Sequence, residues 1–176
     1  MLKMKTLLLL LFSTISLSMG QPSPNQLRDL DGNLVRSGTK YYILHVIRGM
    51  GGGLIPASTR NESCPLDVVQ ANQEVNNGLP LTFTPVNPKK GVIRESTDLN
   101  IIFLAASTCI QSNVWMLEEY DGQLIKYEDH YKLMFCPTVC DICKPVCGNI
   151  GVVIAKNGSR RLAISEVPLK IMFKKA

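Results

Sequence analysis

Six cysteines are the side chains best suited to chemistry in this 176-residue chain. They are Cys64, Cys109, Cys136, Cys140, Cys143 and Cys147. The last four follow the spacing C-x3-C-x2-C-x3-C, and four thiolates at short spacing can bind zinc. An even number of cysteines in a secreted chain instead indicates disulfides. We expect disulfides and no metal ion, although the spacing alone does not choose among the possible pairings.

The first twenty residues have the pattern of a secretory signal peptide. Lys3 and Lys5 provide the positive start, an apolar stretch runs to Leu17, and Ser18 and Gly20 are small residues before a cleavage site. The apolar run is shorter than the roughly 20 residues that a bilayer span needs. We therefore expect residues 1–20 to be a signal, residues 21–176 to form one mature domain, and no membrane partner.

Two N-glycosylation sequons fit the same secretory route. They are Asn61-Glu62-Ser63 and Asn157-Gly158-Ser159. The chain carries a net charge of +5 at pH 7, and two of its lysines lie in the signal segment. This mild excess lacks a basic stripe with interleaved aromatic residues, so we expect no nucleic-acid partner.

Enzymatic chemistry finds little support in the remaining residues. His45 and His130 are the only histidines, and neither accompanies a nucleophile motif such as G-x-S-x-G. The glycine-rich run Gly49–Gly53 lacks the lysine of a phosphate-binding loop, so we expect a flexible loop there and no cofactor. The sequence predicts that the protein is not an enzyme.

Short segments that alternate apolar and polar residues must position these side chains. They cover residues 41–46, 79–83, 99–103, 131–135, 151–155, 161–164 and 169–173. Turns rich in Gly, Pro, Asn and Asp separate them, which indicates an all-β barrel or sandwich. The sequence at 98–103 resembles that at 168–173, and Tyr41–Leu44 fits a third copy. Three copies would fit a β-trefoil, but periodicity alone does not separate a trefoil from a sandwich.

The segment after the signal resembles the N-terminal signature of the plant Kunitz (soybean trypsin inhibitor type) family. Its six signature positions hold Leu27, Asp29, Gly32, Val35, Tyr41 and Ile43. Further pieces occur in the family's order at 64–70, 135–137, 148–152 and 160–162. The segment 137–143 is similar to the miraculin-like branch.

The resemblance implies a disulfide-braced β-trefoil that inhibits a trypsin-like serine protease as a monomer. It also implies the pairs Cys64–Cys109 and Cys136–Cys147, with Cys140–Cys143 as an additional bridge. The expected location is extracellular, in the apoplast or cell wall, with the vacuole as the alternative.

The family's protease-binding loop corresponds to residues 84–93. Counting from the cysteine side places its primary contact at Asn87 or Pro88, whereas counting back from Phe103 places it at Lys89. We favour Lys89, followed by Lys90, because a lysine fits the acidic S1 pocket of trypsin-like enzymes. The alternative is an ordinary polar hairpin loop whose lysines aid solubility.

Two departures from the family pattern weaken this interpretation. Ser37 stands where family inhibitors commonly hold the loop with an asparagine, and serine has fewer hydrogen-bonding groups. The interval from Trp115 to Tyr131 is short, so we expect a shortened middle to third repeat and an open sheet edge. Both departures favour the alternative functions, a non-inhibitory binding or storage-type protein or an inhibitor of another protease class.

Overall fold

The computed structural model describes residues 23–87, 91–109, 114–115, 122–127, 130–136 and 147–176, with the backbone alone at 122–127. The predicted signal, the loop residues Pro88, Lys89 and Lys90, and the pair Cys140–Cys143 lie outside these ranges. Within them the chain forms β-strands, and no helix is long and apolar enough to cross a membrane.

Ten strands make up the described fold. They are β1 (Tyr41–His45), β2 (Leu54–Ala57), β3 (Asp67–Gln70), β4 (Leu81–Pro85), β5 (Asp98–Phe103), β6 (Gly122–Tyr127), β7 (His130–Phe135), β8 (Gly148–Ile154), β9 (Arg160–Ile164) and β10 (Lys170–Lys175). Each of the seven predicted segments overlaps one of these strands. The prediction missed β2, β3 and β6. The strands β2 and β3 have four residues each, which are too few to show a clear alternation.

Six of the strands close into a barrel. The antiparallel pairs run β1–β4, β4–β5, β5–β6, β6–β7, β7–β10 and β10–β1. The expected open edge is therefore wrong, because β6 fills the gap between β5 and β7. The β5–β6 contact is narrow and joins Asp98 to Gln123 and Leu99 to Gly122.

The shortening falls in the second of three repeats. In the first and third repeats a hairpin separates the two barrel strands, β2–β3 between β1 and β4, and β8–β9 between β7 and β10. Between β5 and β6 the described residues form only the bridge from Ile102 to Val114. A barrel built from strand–hairpin–strand repeats confirms the β-trefoil and excludes the sandwich.

The barrel interior holds the core that the alternation predicts. Phe83 and Phe173 are fully buried and meet edge to face, with ring centroids 5.4 Å apart. Trp115 packs against Phe103, with ring centroids 5.2 Å apart. Burying one such side chain contributes about 1.5–3 kcal/mol relative to exposure.

Two disulfides brace the described fold. Cys64 pairs with Cys109 at a Cα–Cα distance of 5.6 Å, and Cys136 pairs with Cys147 at 4.4 Å. The resemblance implies the same pairs for these four cysteines. The first disulfide closes a chain segment that contains β3, β4, β5 and the loop from β4 to β5.

The glycine-rich run is not the flexible loop that we expected from the sequence. The Gly52 and Gly53 amides donate to the carbonyls of Ala71 and Asn76, at 2.7 and 2.8 Å, and both glycines are buried. A β-carbon on Gly53 would collide with the carbonyl oxygen of Asn77. The glycines allow two backbone segments to approach closely, which the composition of the run does not reveal.

A pair of glycine substitutions tests this close packing. Gly78 and Gly158 both have a positive φ, +77° and +82°, but only at Gly78 would a β-carbon meet backbone, that of Leu54. We expect Gly158→Ala to cost about 1–2 kcal/mol from conformation alone. Gly78→Ala should cost at least about 1 kcal/mol more because the neighbouring backbone must move. Urea unfolding measures the free energy of unfolding of the two variants. Equal midpoints would contradict the close packing at Gly78.

Candidate functional site

The predicted reactive loop joins β4 to β5 at the barrel end opposite the hairpins. The hairpin β2–β3 lies between the end of β1 and the start of β4, so the end of β4 points away from it. Val86 has 60% of its surface exposed, and Asn87 and Gly91 are also exposed. The loop therefore leaves and rejoins the barrel through solvent-accessible residues.

The limb that enters the loop is held by its neighbouring barrel strand. β4 pairs with β5 along its whole length, from Leu81 with Phe103 to Pro85 with Leu99. One further bond extends this ladder, since the Val86 amide donates to the Asp98 carbonyl at 3.1 Å. The entering limb is thus held by β5 as far as Val86.

The limb that leaves the loop is held by residues 24–37, which we name the N-terminal strap. The Leu27 amide donates to the Ile93 carbonyl at 3.0 Å, and the Ile93 amide donates to the Val35 carbonyl at 2.9 Å. The Glu95 amide likewise donates to the Asn25 carbonyl at 2.9 Å. Ile93 is fully buried and anchors the limb in the core.

Ser37, at the end of the strap, contacts both limbs. Its hydroxyl donates to the Phe83 carbonyl at 3.1 Å, and its amide donates to the Gly91 carbonyl at 3.0 Å. The side chain is half-buried. Ser37 therefore hydrogen-bonds to residues on both sides of the segment between Phe83 and Gly91.

The aspartate of the N-terminal signature organises the strap. Asp29 is buried, and its Oδ1 accepts the amides of Asp31 and Asn33 at 3.1 and 2.8 Å. A carboxylate that accepts nearby backbone amides fixes a tight turn. This turn brings the two arms of the strap together, with Arg28 bridged to Leu34.

Arg94 is a further loop residue that the sequence reasoning missed. Its Nη1 donates to the Pro24 carbonyl at 2.7 Å, which ties the start of the strap to the leaving limb. Its own carbonyl accepts the Thr97 hydroxyl at 2.8 Å. A lone arginine in a loop gives no sequence signal for such a contact, because its partner is remote in the chain.

Both histidines make contacts within or beside their own strands. His45 uses Nδ1 in a local turn, where it accepts the Ile47 amide at 2.9 Å. His130 opens β7 and pairs with Tyr127. No group of three or more metal-ligating side chains occurs in the part of the chain that the structure describes. The arrangement supports presentation of a loop to another molecule.

Comparison with known proteins agrees with this geometry. The model of the family described as "Trypsin and protease inhibitor" matches residues 27–127 and 123–175. Miraculin from Synsepalum dulcificum is 41% identical over 90% of this chain and 87% of its own length. Kunitz trypsin inhibitor 5 from Arabidopsis thaliana is 40% identical over 85% of each protein.

Solved structures show the same fold. The rice bifunctional α-amylase/subtilisin inhibitor from Oryza sativa has a TM-score of 0.76 and 33% identity, and the match covers 88% of this chain and all of that one. Soybean trypsin inhibitor in complex with porcine pancreatic trypsin has a TM-score of 0.70 and 28% identity, over 86% and 99% of the two chains. Members of this family are protease inhibitors rather than enzymes. The chain belongs to the plant Kunitz-type trypsin and protease inhibitor family, with miraculin among its relatives.

Proposed function

We propose that this protein is a secreted inhibitor of trypsin-like serine endopeptidases that acts through the loop at residues 84–93. The observation that carries the proposal is the separate anchoring of the two loop limbs, one by β5 and the other by the N-terminal strap. A loop whose limbs are fixed before binding loses less conformational entropy when it enters a protease cleft than a loop with free limbs. It can therefore bind tightly as a substrate-like strand.

The proposed contact residues are Asn87, Pro88, Lys89 and Lys90, with Lys89 as the primary contact. A lysine at this position would enter the acidic S1 pocket of a trypsin-like enzyme. The complex of soybean trypsin inhibitor with porcine trypsin supports a protease of this class as the partner. The mechanism is competitive occupation of the cleft, and the chain contributes no catalytic group.

Inhibition of two serine proteases with different S1 pockets tests the proposal. A trypsin-like enzyme and a chymotrypsin-like enzyme are assayed with the same preparation of the protein and matched substrates. We expect strong inhibition of the trypsin-like enzyme and much weaker inhibition of the other, since a hydrophobic S1 pocket does not suit a lysine. Preferential inhibition of the chymotrypsin-like enzyme would exclude a lysine as the primary contact.

Changes at Ser37 test the support of the loop. Ser37→Ala removes the hydroxyl bond to the Phe83 carbonyl and should weaken trypsin inhibition about twofold to tenfold, since a neutral hydrogen bond contributes about 0.5–1.5 kcal/mol. Ser37→Asn supplies an amide with two donors and should tighten inhibition by a similar factor. Inhibition constants of both variants against one enzyme give the answer. Unchanged constants in both would show that residue 37 does not support the loop.

A second candidate is a Kunitz-fold protein that binds another partner. Two relatives favour it, miraculin and the rice inhibitor named for both α-amylase and subtilisin. The short interval from Trp115 to Tyr131 points the same way. Full activity of trypsin, subtilisin and a papain-like protease with excess folded protein would favour this candidate.

The secretory features belong to the same proposal. Secretion to the apoplast or cell wall, or delivery to the vacuole, suits a monomeric inhibitor with a signal at 1–20. Asn61 and Asn157 are exposed, and Asn157 Oδ1 accepts the Ser159 amide at 3.0 Å in the turn between β8 and β9. We predict glycans at both, and a third disulfide between Cys140 and Cys143. Intact mass before and after glycosidase treatment and peptide mapping without reduction test these modifications.

A further inference from the structure

The chain contains two Asn-Gly pairs, Asn77-Gly78 and Asn157-Gly158. In such a pair the glycine amide nitrogen can attack the Cγ carbon of the asparagine side chain, because glycine has no side chain that shields the amide. The attack forms a cyclic imide and releases the Nδ2 nitrogen as ammonia. Water then opens the imide to aspartate or to isoaspartate. Either product replaces a neutral amide by a carboxylate, so each pair is a possible modification site.

The pair Asn157-Gly158 lies at the tip of the hairpin between β8 and β9. The Ala155 amide donates to the Ser159 carbonyl at 2.8 Å, and the Gly158 amide donates to the Ala155 carbonyl at 2.9 Å. Gly158 has a φ of +82°, as a glycine that closes a three-residue hairpin turn does. Asn157 and Gly158 are exposed. Among the described residues other than its two neighbours, none has an atom within 4 Å of the place that a β-carbon on Gly158 would take.

The pair Asn77-Gly78 is packed against the backbone at the start of β2. A β-carbon on Gly78 would collide with the backbone of Leu54, and one on Gly53 would collide with the Asn77 carbonyl oxygen. The Gly78 amide donates to Asn76 Oδ1 at 2.9 Å. Attack on the Asn77 side chain requires rotation of the peptide group between Asn77 and Gly78. The backbone at Gly53 and Leu54 therefore has to move before the reaction can occur.

The two pairs differ in the free energy needed to open them locally. Both glycine amides donate a hydrogen bond, which must break before the nitrogen can attack. At Gly158 the opening disturbs only a turn that already faces solvent. At Gly78 it separates two packed backbone segments. Local opening costs almost nothing in exposed turns and as much as global unfolding in packed regions, so the same dipeptide reacts at different rates in the two places.

We propose that Asn157 is a site of deamidation and that packing against Gly53 and Leu54 protects Asn77 from the same reaction. A glycan on Asn157 excludes deamidation, because it is attached to the Nδ2 nitrogen that would leave as ammonia. This exclusion rests on the glycan proposed above, whereas the deamidation does not. Chains that carry the glycan keep Asn157, and chains without it accumulate aspartate and isoaspartate. Isoaspartate adds a methylene group to the backbone of the turn that Gly158 closes.

Deamidation rates at the two asparagines in the folded protein test the proposal. Ser159→Ala removes the sequon and keeps Asn157-Gly158, and the unchanged chain from a host without N-glycosylation is a second preparation. Both are incubated with intact disulfides at mildly alkaline pH. Peptide mapping gives the deamidated fraction at each asparagine, and an isoaspartyl methyltransferase with a labelled methyl donor gives the isoaspartate. We expect Asn157 to react at least about tenfold faster than Asn77. Equal rates, or no reaction at Asn157, would overturn the proposal.

The unfolded chain is the matched control for the effect of packing. With the disulfides reduced in guanidinium chloride, Asn77 and Asn157 should react at similar rates, and a difference that persists there would overturn the protective role of the fold. The glycan is tested separately on the secreted protein with its sequon intact. Deamidation at Asn157 in chains that carry the glycan would overturn the exclusion. Secreted chains that lack the glycan and deamidate at Asn157 would support the deamidation and show that the glycan prediction is wrong.

Discussion

Replacement of Lys89 by alanine is expected to weaken trypsin inhibition by at least about 30-fold while the protein stays folded. A side chain that fills a specificity pocket is a binding hot spot, and its truncation commonly costs 2–4 kcal/mol or more. An exposed loop lysine contributes little to folding, within about 0.5 kcal/mol. Inhibition constants and thermal unfolding of the same preparations measure the two effects.

Lys90→Ala is the matched control for Lys89→Ala. The two lysines are adjacent in the sequence, and each change removes one positive charge and the same side-chain atoms beyond Cβ. If Lys89 is the primary contact, Lys90→Ala should change inhibition by less than about tenfold, as most interface residues do. A large loss with Lys90→Ala and a small one with Lys89→Ala would move the primary contact by one residue.

Removal of the disulfide Cys64–Cys109 should destabilise the protein by about 4 kcal/mol. The two cysteines are 45 residues apart, and the chain-entropy model assigns about this value to a loop of that length. The double variant Cys64→Ser with Cys109→Ser avoids a free thiol. Urea unfolding monitored by tryptophan fluorescence reports the change, and Trp115 is the single tryptophan.

Removal of the second disulfide, Cys136–Cys147, gives a loss of stability to compare with that of the first. Cys136 and Cys147 are 11 residues apart, so the same model assigns about 3 kcal/mol to their removal. We expect Cys136→Ser with Cys147→Ser to be the milder change. A larger loss from the shorter loop would show that packing around the bond, rather than loop closure, decides its contribution.

The barrel was predictable because its strands carry a local signal. The buried residues of β4, β5 and β10 stand at alternate positions, as at Phe83, Ile101 and Phe173, and alternation of this kind is visible in the sequence. The short strands β2 and β3 gave no such signal. Pro56 within β2 lowers its strand propensity further and fits its place at the edge of the sheet.

The frame of the loop was only partly predictable. The sequence indicated a loop near Lys89, but it did not indicate that the strap pairs with the leaving limb. That pairing joins Leu27 and Val35 to Ile93, and hydrogen bonds between remote backbone groups leave no local pattern. Closure of the barrel by β6 was missed for the same reason, since it depends on a two-residue contact with β5.

Titration of trypsin of known active-site concentration with the purified protein tests the central claim most directly. The account predicts that residual activity falls linearly to zero at about one molar equivalent, as expected for a tight complex in which one loop occupies one cleft. Circular dichroism of the same sample establishes that the β-fold is intact. Trypsin that keeps its full activity in the presence of excess folded protein would contradict the account.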